Sequence, residues 1–145
     1  WIALGRPEVF AGGYGGGPLG LPVDESAFQE WAPNYFPHTR GNTYVAVVQG
    51  GPHDGVVVGA SSLADFDEVK EHAHIGWTGW DPRVWATQVN PEAKLLMLGL
   101  AFDHGYGRVK LQADDLNSRS KAAIAKLGAQ VEGVARRDPL PADGT

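Results

Sequence analysis

Apolar and polar positions alternate along the first half of the chain in the manner of short β-strands. Residues 44–49 are rich in β-branched side chains and end in a turn of glycine and proline, and residues 56–61 resume the pattern. The two segments predict a β-hairpin. A polar turn at residues 65–68 then leads into a third predicted strand at residues 73–78, which we expect to pair antiparallel with the second.

The second half alternates between helices and strands. Asn90 is predicted to cap a helix whose first position is Pro91, and Gly105 ends it. This helix carries so many apolar residues that we expect burial on more than one side. Residues 108–113 predict a strand parallel to its predecessor, because a helix connects the two.

Further elements are predicted near both ends. Asp24 is expected to cap a helix over residues 25–31, after a glycine-rich loop at about residues 11–20. A last helix is predicted over residues 117–127, and residues 129–134 predict one more short strand.

Composition narrows the class of protein. With 145 residues and 43% hydrophobic content, we expect one α/β domain over residues 1–145. The net charge of -5 gives no drive toward nucleic acid or anionic lipid, so neither is an expected partner. The chain has no cysteine, which excludes a thiolate nucleophile and a cysteine zinc site and agrees with a reducing compartment. No apolar run is long enough for a membrane span, so we expect a cytoplasmic protein.

The segment before Asn90 has the features of an anion site. A helix N-terminus presents free N–H groups and the positive end of the helix dipole to the preceding loop. A diphosphate would fit there, but every helix has such an end and most bind only water. The segment alone leaves both interpretations open.

Residues 115–129, Asp-Leu-Asn-Ser-Arg-Ser-Lys-Ala-Ala-Ile-Ala-Lys-Leu-Gly-Ala, resemble the Asn-x-x-Ser…Lys-Leu-Gly-Ala segment of GNAT acetyltransferases. Asn-Pro-Glu-Ala-Lys-Leu-Leu at 90–96 and Ile-Gly-Trp-Thr at 75–78 resemble the subgroup related to ribosomal-protein N-terminal acetyltransferases. The resemblance is clear from about Val56 to Val134.

The resemblance implies a mixed, splayed β-sheet flanked by helices, with acetyl-CoA as cosubstrate in the split between residues 73–78 and 108–113. The implied cofactor contacts are the backbone of Trp77 and Thr78 for the pantetheine, the loop amides of Gln88, Val89 and Asn90 for the diphosphate, and Asn117 for the cofactor arm. Lys126 or Arg83 could add positive charge, or each could be an ordinary solvated cation.

Gln88 stands where the family has a glycine. A glycine there lets the backbone approach phosphate closely and adopt positive φ. Glutamine would instead shift the loop or donate through its side-chain amide. We expect acetyl-CoA to bind nevertheless.

Acetyl transfer to an amine needs a base and an acid. His74 occupies a candidate base position, because relatives often carry a glutamate just before Ile-Gly, and Glu71 is the second candidate. Ile124 stands where many relatives have a tyrosine acid, which leaves Ser120 as the candidate acid. The alternatives are a structural histidine and a serine of the first helical turn.

Other side chains near the split have less specific roles. Trp80 and Trp85 are expected to wall an acceptor pocket. His72 and His74 would share one face of a strand, but no third ligand is evident nearby, and no metal site is expected.

The predicted function is acetyl-CoA-dependent transfer of an acetyl group to a primary amine, a peptide N-terminus or a small amino compound, by direct attack. The alternative is a GNAT-fold protein of weak or no activity that works as an acyl-CoA sensor or interaction module. Transfer of a larger acyl group is a third hypothesis. The family's first and last strands are absent from the chain, so we expect further residues or a partner, such as a homodimer, at the open sheet edge.

Overall fold

The computed structural model describes residues 1–11 and 20–135. The predicted glycine-rich loop lies almost wholly outside the described residues. In chain order the elements are a 3₁₀ helix at Pro7–Phe10, α1 (Glu25–Tyr35), β1 (Gly41–Val47), β2 (Val57–Asp67), β3 (His72–Trp80), α2 (Val89–Asp103), β4 (Arg108–Lys110) and α3 (Ser118–Lys126). Two further 3₁₀ turns lie at Gly51–His53 and Pro82–Val84.

The four strands form one mixed sheet in the order β1-β2-β3-β4. The predicted hairpin, the antiparallel third strand and the parallel fourth strand are all confirmed. The predicted turn at residues 65–68 is wrong, since β2 continues to Asp67 and the turn lies at residues 68–71. Within this extended strand Asp65 takes a positive φ of 54°.

The sheet parts between β3 and β4. Only three residue pairs join these strands, and the last of them is His74 with Lys110. β4 ends there, short of the predicted residues 108–113, while β3 continues to Trp80. The predicted splay of the mixed sheet is therefore confirmed.

A β-bulge lies in β3 just beyond this point. Ala60 pairs with Gly79 and Ser62 with Gly76, so Ser61 of β2 faces both Trp77 and Thr78. Trp77 has a φ of 49°, in the left-handed region. Since successive strand residues point to opposite faces, the extra residue brings Thr78 to the same face as Ile75.

Two apolar clusters cover opposite faces of the sheet. α2 packs Met97 and Ala101 against Leu63 of β2 and its neighbours. On the other face, Ala60 of β2 contacts Phe10, and the aromatic side chains of α1 pack against this second cluster. Helices therefore cover both faces beside the opening.

The predicted cap of α1 is confirmed, and α3 is capped in the same way. The carboxylate of Asp24 accepts a hydrogen bond from the N–H of Ala27 at 2.8 Å, and α1 continues past the predicted residues 25–31 to Tyr35. The Oδ1 of Asn117 accepts from the N–H of Ser120 at 3.0 Å. Beyond α3, Gly128 takes a φ of 82°, a conformation that glycine adopts without strain.

Three other predictions are wrong. α2 begins at Val89 rather than after Asn90, because the Oδ1 of Asn90 accepts from the indole N–H of Trp80 instead of capping. α2 is not buried on more than one side, since Leu95 and Leu96 are 71% and 74% exposed. Residues 129–134 form no strand.

Candidate active site

A cavity of about 580 Å³ opens where β3 and β4 part. Many of the side chains that sequence analysis proposed line it together: His74, Trp77, Thr78, Trp80, Trp85, Asn90, Asn117 and Ser120. Four others, Arg83, Gln88, Val89 and Lys126, are not in its lining. The structure therefore gathers residues of β3, α2 and α3 around one space at the split.

His74 is buried at the last paired position before the opening. Its Nδ1 lies 3.2 Å from Oδ2 of Asp65, and its Nε2 is buried without a hydrogen-bond partner among the described residues. Because the carboxylate can only accept, we assign the ring proton to Nδ1. Nε2 then carries a free lone pair in a ring that lines the cavity.

The surroundings favour the neutral form of His74. Burial lowers the pKa of its imidazole, and the charges of Lys110 and Arg40 add to that effect. The hydrogen bond to Asp65 acts in the opposite direction but is the smaller effect. A neutral imidazole with an open Nε2 can take up a proton near pH 7.

Asp65 and Arg40 support this histidine, and sequence analysis missed both. Nη1 of Arg40 donates to Oδ1 of Asp65 at 2.7 Å, and the Arg40 guanidinium lies 4.9 Å from the ring centre of Trp77. Asp65 was interpreted as a turn residue. No local signal distinguishes it from one, because its partners lie 25 and 9 positions away.

Comparison with known protein families shows which family has this architecture. The sequence profile of the acetyltransferase (GNAT) domain matches residues 3–130. The chain belongs to the GNAT acetyltransferase family. This confirms the family predicted from the sequence.

Solved structures of GNAT proteins share the fold of this acetyltransferase domain. A GNAT-family protein from Chromobacterium violaceum is 26% identical, with a TM-score of 0.73 over 92% of this chain and 68% of that one. A GCN5-related N-acetyltransferase from Brucella melitensis is 22% identical, with a TM-score of 0.74 over 83% of this chain and 53% of that one. No protein of curated function matches the chain significantly.

A ribosomal-protein-S5-alanine acetyltransferase from Vibrio fischeri is 16% identical to this domain, with a TM-score of 0.59 over 87% of this chain and 66% of that one. At this identity the likeness shows a shared fold.

Lys94 is the second feature of this GNAT domain that sequence analysis missed. It lies in α2, is 4% exposed, and its Nζ donates to Ser61 Oγ at 2.8 Å and to Thr78 Oγ1 at 2.6 Å. The two hydroxyls lie 2.7 Å apart. Lys94 thus ties α2 to both strands at the bulge. The available signal was a single lysine inside an apolar helical run.

Lys94 has no carboxylate partner among the described residues. Burial lowers the pKa of its amine to about 7. Hydroxyl oxygens satisfy its N–H groups but supply no opposite charge, so the cationic form is disfavoured.

The loop before α2 departs from the predicted phosphate loop. Gln88 is exposed with a φ of -74° and a ψ of -8°, which glutamine adopts without strain. The left-handed residue is Ala86, with a φ of 59°, and it lines the cavity. The N–H of Val89 donates to Oγ1 of Thr87 at 3.3 Å. The positive φ that the family's glycine would adopt at position 88 is therefore found at position 86.

Arg83 is engaged elsewhere in this loop. Its Nε and Nη2 donate to the fully buried carboxylate of Asp81 at 3.0 and 2.7 Å. These bonds hold the pKa of Asp81 below its ordinary range. The phosphate role of Arg83 stays a prediction. A bound phosphate would compete with Asp81 for the guanidinium of Arg83.

Trp80 and Trp85 form one wall of the cavity. The indole N–H of Trp85 donates to the carbonyl of Trp80 at 2.9 Å, and the guanidinium of Arg119 lies 3.8 Å from the ring centre of Trp85. Arg119 also donates to the carbonyl of Glu8 at 3.2 Å. These contacts join the loop, α3 and the N-terminal 3₁₀ helix around one end of the cavity.

Two kinds of feature are absent from the described residues. No group of three histidine, aspartate or glutamate side chains there is arranged to hold a metal ion. No helix among them is both long and apolar enough to cross a membrane.

Lys94 gives the domain a pH-dependent stability. Its folded-state pKa of about 7 lies below the ordinary value of 10.5, so the unfolded chain binds more protons between these values. The free energy of unfolding should therefore rise with pH, by about 2 kcal/mol from pH 7 to pH 9. Denaturant titrations at the two pH values measure this rise.

The variant Lys94→Met should lose most of that rise, whereas Lys70→Met, at a lysine whose side chain is 70% exposed, should keep it. An equal rise in wild type and Lys94→Met would contradict the assignment.

Proposed function

We propose that this chain is an acetyl-CoA-dependent N-acetyltransferase that moves an acetyl group to a primary amine, with His74 as general base. One observation carries the proposal: the buried Nε2 of His74 has no partner among the described residues, in a ring that lines the cavity at the parting of β3 and β4. Membership of the GNAT family supports acetyl transfer in general.

The residues around the split fit an extended acyl-CoA arm. Beyond His74 the edge of β3 has no β4 partner, so backbone groups near Trp77 and Thr78 are available to pantetheine amides. The first N–H groups of α2 are the candidate contacts for diphosphate. Asn117 uses Oδ1 for its cap, which leaves its amide N–H groups to donate.

Each catalytic side chain would have one role. His74 would take the proton of the acceptor ammonium at Nε2, and Asp65 would accept the Nδ1–H bond and stabilise the imidazolium that forms. The Ser120 hydroxyl, which makes no hydrogen bond to another described residue, would protonate the leaving thiolate as the C–S bond breaks. It would regain a proton from the nitrogen, which loses its second proton as the amide forms. Bound acetyl-CoA supplies the acetyl group as an activated thioester. Because the chain has no cysteine, no cysteine acyl-enzyme can form, and the transfer proposed is direct attack of the amine on the thioester.

Replacing His74 tests the base. His74→Ala should lower kcat by about 10²- to 10⁴-fold and change the KM of the amine much less, because the lost group acts on a proton in the transition state. Release of free CoA thiol with a panel of primary amines measures both constants. His38→Ala, at an exposed histidine outside the cavity lining, should behave as wild type.

The same assay gives a pH profile. Since only neutral His74 accepts a proton and its pKa is lowered from the ordinary value of 6.5, the midpoint of the fall of kcat/KM in acid should lie below that value. Unchanged turnover in His74→Ala would remove His74 from the mechanism.

Calorimetry with acetyl-CoA tests the loop. Because Gln88 holds an ordinary helical conformation, Gln88→Gly should leave the Kd of acetyl-CoA within about threefold. Binding that becomes tenfold tighter would show that the glutamine obstructs the cofactor. No heat with acetyl-CoA or CoA at millimolar concentration would contradict the proposed cosubstrate.

A further inference from the structure

Cations concentrate around the cavity of an otherwise acidic chain. The whole sequence has 17 acidic and 12 basic residues. Yet three cations, Arg40, Lys110 and Arg119, line the cavity together with the buried amine of Lys94, against one carboxylate, Asp65. The potential inside the cavity therefore favours anions.

These cations lie in different places. Arg119 is stacked on Trp85, next to the loop proposed for the cofactor diphosphate. Lys94 is enclosed with its two hydroxyl partners at the bulge. Arg40 and Lys110 remain, and they lie near His74.

The sheet itself places Lys110 beside His74. The two residues are register partners in the last pair before β3 and β4 part, so their side chains extend from the same face. Lys110 is exposed and makes no ion pair or hydrogen bond through its side chain with another described residue. Its amine is therefore free to bind a ligand.

Arg40 adds a second, oriented cation. One nitrogen, Nη1, is held by Asp65, and the guanidinium lies over Trp77. The side chain is still 58% exposed, which leaves other N–H groups to donate. The charges of both Arg40 and Lys110 reach the imidazole of His74.

We propose that Arg40 and Lys110 form an anion subsite beside His74, and that the acceptor is a primary amine that also carries a carboxylate close to its amino group. The inference rests on the proposed function, because it names the substrate class of the same site. A plain alkylammonium would be repelled by two neighbouring cations. A carboxylate on the same molecule offsets this repulsion and accepts charge-assisted hydrogen bonds.

Such an acceptor has two sources, a free amino acid or a peptide whose first residue is acidic. The experiment therefore uses matched pairs of each kind: glycine with glycinamide, and short peptides that begin with aspartate or with asparagine. Thiol release gives kcat/KM for each member. The carboxylate members should be preferred in at least one kind of pair, and that kind identifies the source.

The variant Lys110→Gln should lower kcat/KM about tenfold for the carboxylate members and should not lower it for their amide partners, because the ammonium of an amide then meets one cation fewer. Comparing each variant with wild type on one substrate cancels differences in intrinsic amine reactivity. Lys70→Gln is the matched control and should change neither member, since Lys70 pairs with Asp67 and is not in the cavity lining. An equal loss for both members in Lys110→Gln would overturn the proposal.

Calorimetry of the same amines, on protein saturated with CoA, separates the two hypotheses. Turnover with no carboxylate preference in rate or binding overturns the anion subsite and leaves the proposed function standing. Selective binding of carboxylate amines that Lys110→Gln abolishes supports the subsite even if no amine is acetylated, and in that case the proposed function fails. Absence of both turnover and selective binding overturns the subsite as well.

Discussion

The amine of Lys94 holds together the irregular stretch of sheet on which the rest of the site depends. The bulge turns Thr78 toward α2, where the one amine of Lys94 reaches hydroxyls of both β2 and β3. The same bulge lies where β3 has just lost its partner β4. Burial of an amine without a counter-charge disfavours its cationic form, and this amine is retained at the point where the sheet opens.

Backbone strain is concentrated around the same opening. Four non-glycine residues in the described part of the chain have positive φ, and three of them, Asp65, Trp77 and Ala86, line the cavity. Asp65 holds His74, Trp77 forms the bulge, and Ala86 shapes the loop before α2. Such conformations persist only where surrounding contacts enforce them. The ion pair of Arg40 and the hydrogen bond of His74 supply those contacts at Asp65.

Local signals predicted the elements whose determinants are local. Asn117 caps α3 through a contact three residues away, and the hairpin follows from neighbouring strands and their turn. Asn90 carries the same capping signal, but a tertiary hydrogen bond from Trp80 takes its side chain, and the predicted cap is wrong. The resemblance of residues 115–129 to GNAT acetyltransferases predicted both the family and the parting of the sheet.

His74 could be proposed as a base from the sequence, but the contacts that support this role could not be predicted. Its partner Asp65 is recognisable only after β2 and β3 pair, and Lys94 contacts Ser61 across 33 positions. Long-range contacts of this kind leave no periodic trace in a single sequence. The conformation of the loop before α2 was unpredictable for a similar reason, since φ at Ala86 depends on the packing around it.

The central claim is that the split beyond His74 holds acetyl-CoA with its reacting end at that histidine. A crystal structure with bound CoA tests it most directly. The pantetheine should lie along the free edge of β3 at Trp77 and Thr78, the diphosphate at the start of α2, and the sulfur on the side of His74. CoA bound elsewhere, or with its sulfur turned away from His74, would contradict the claim.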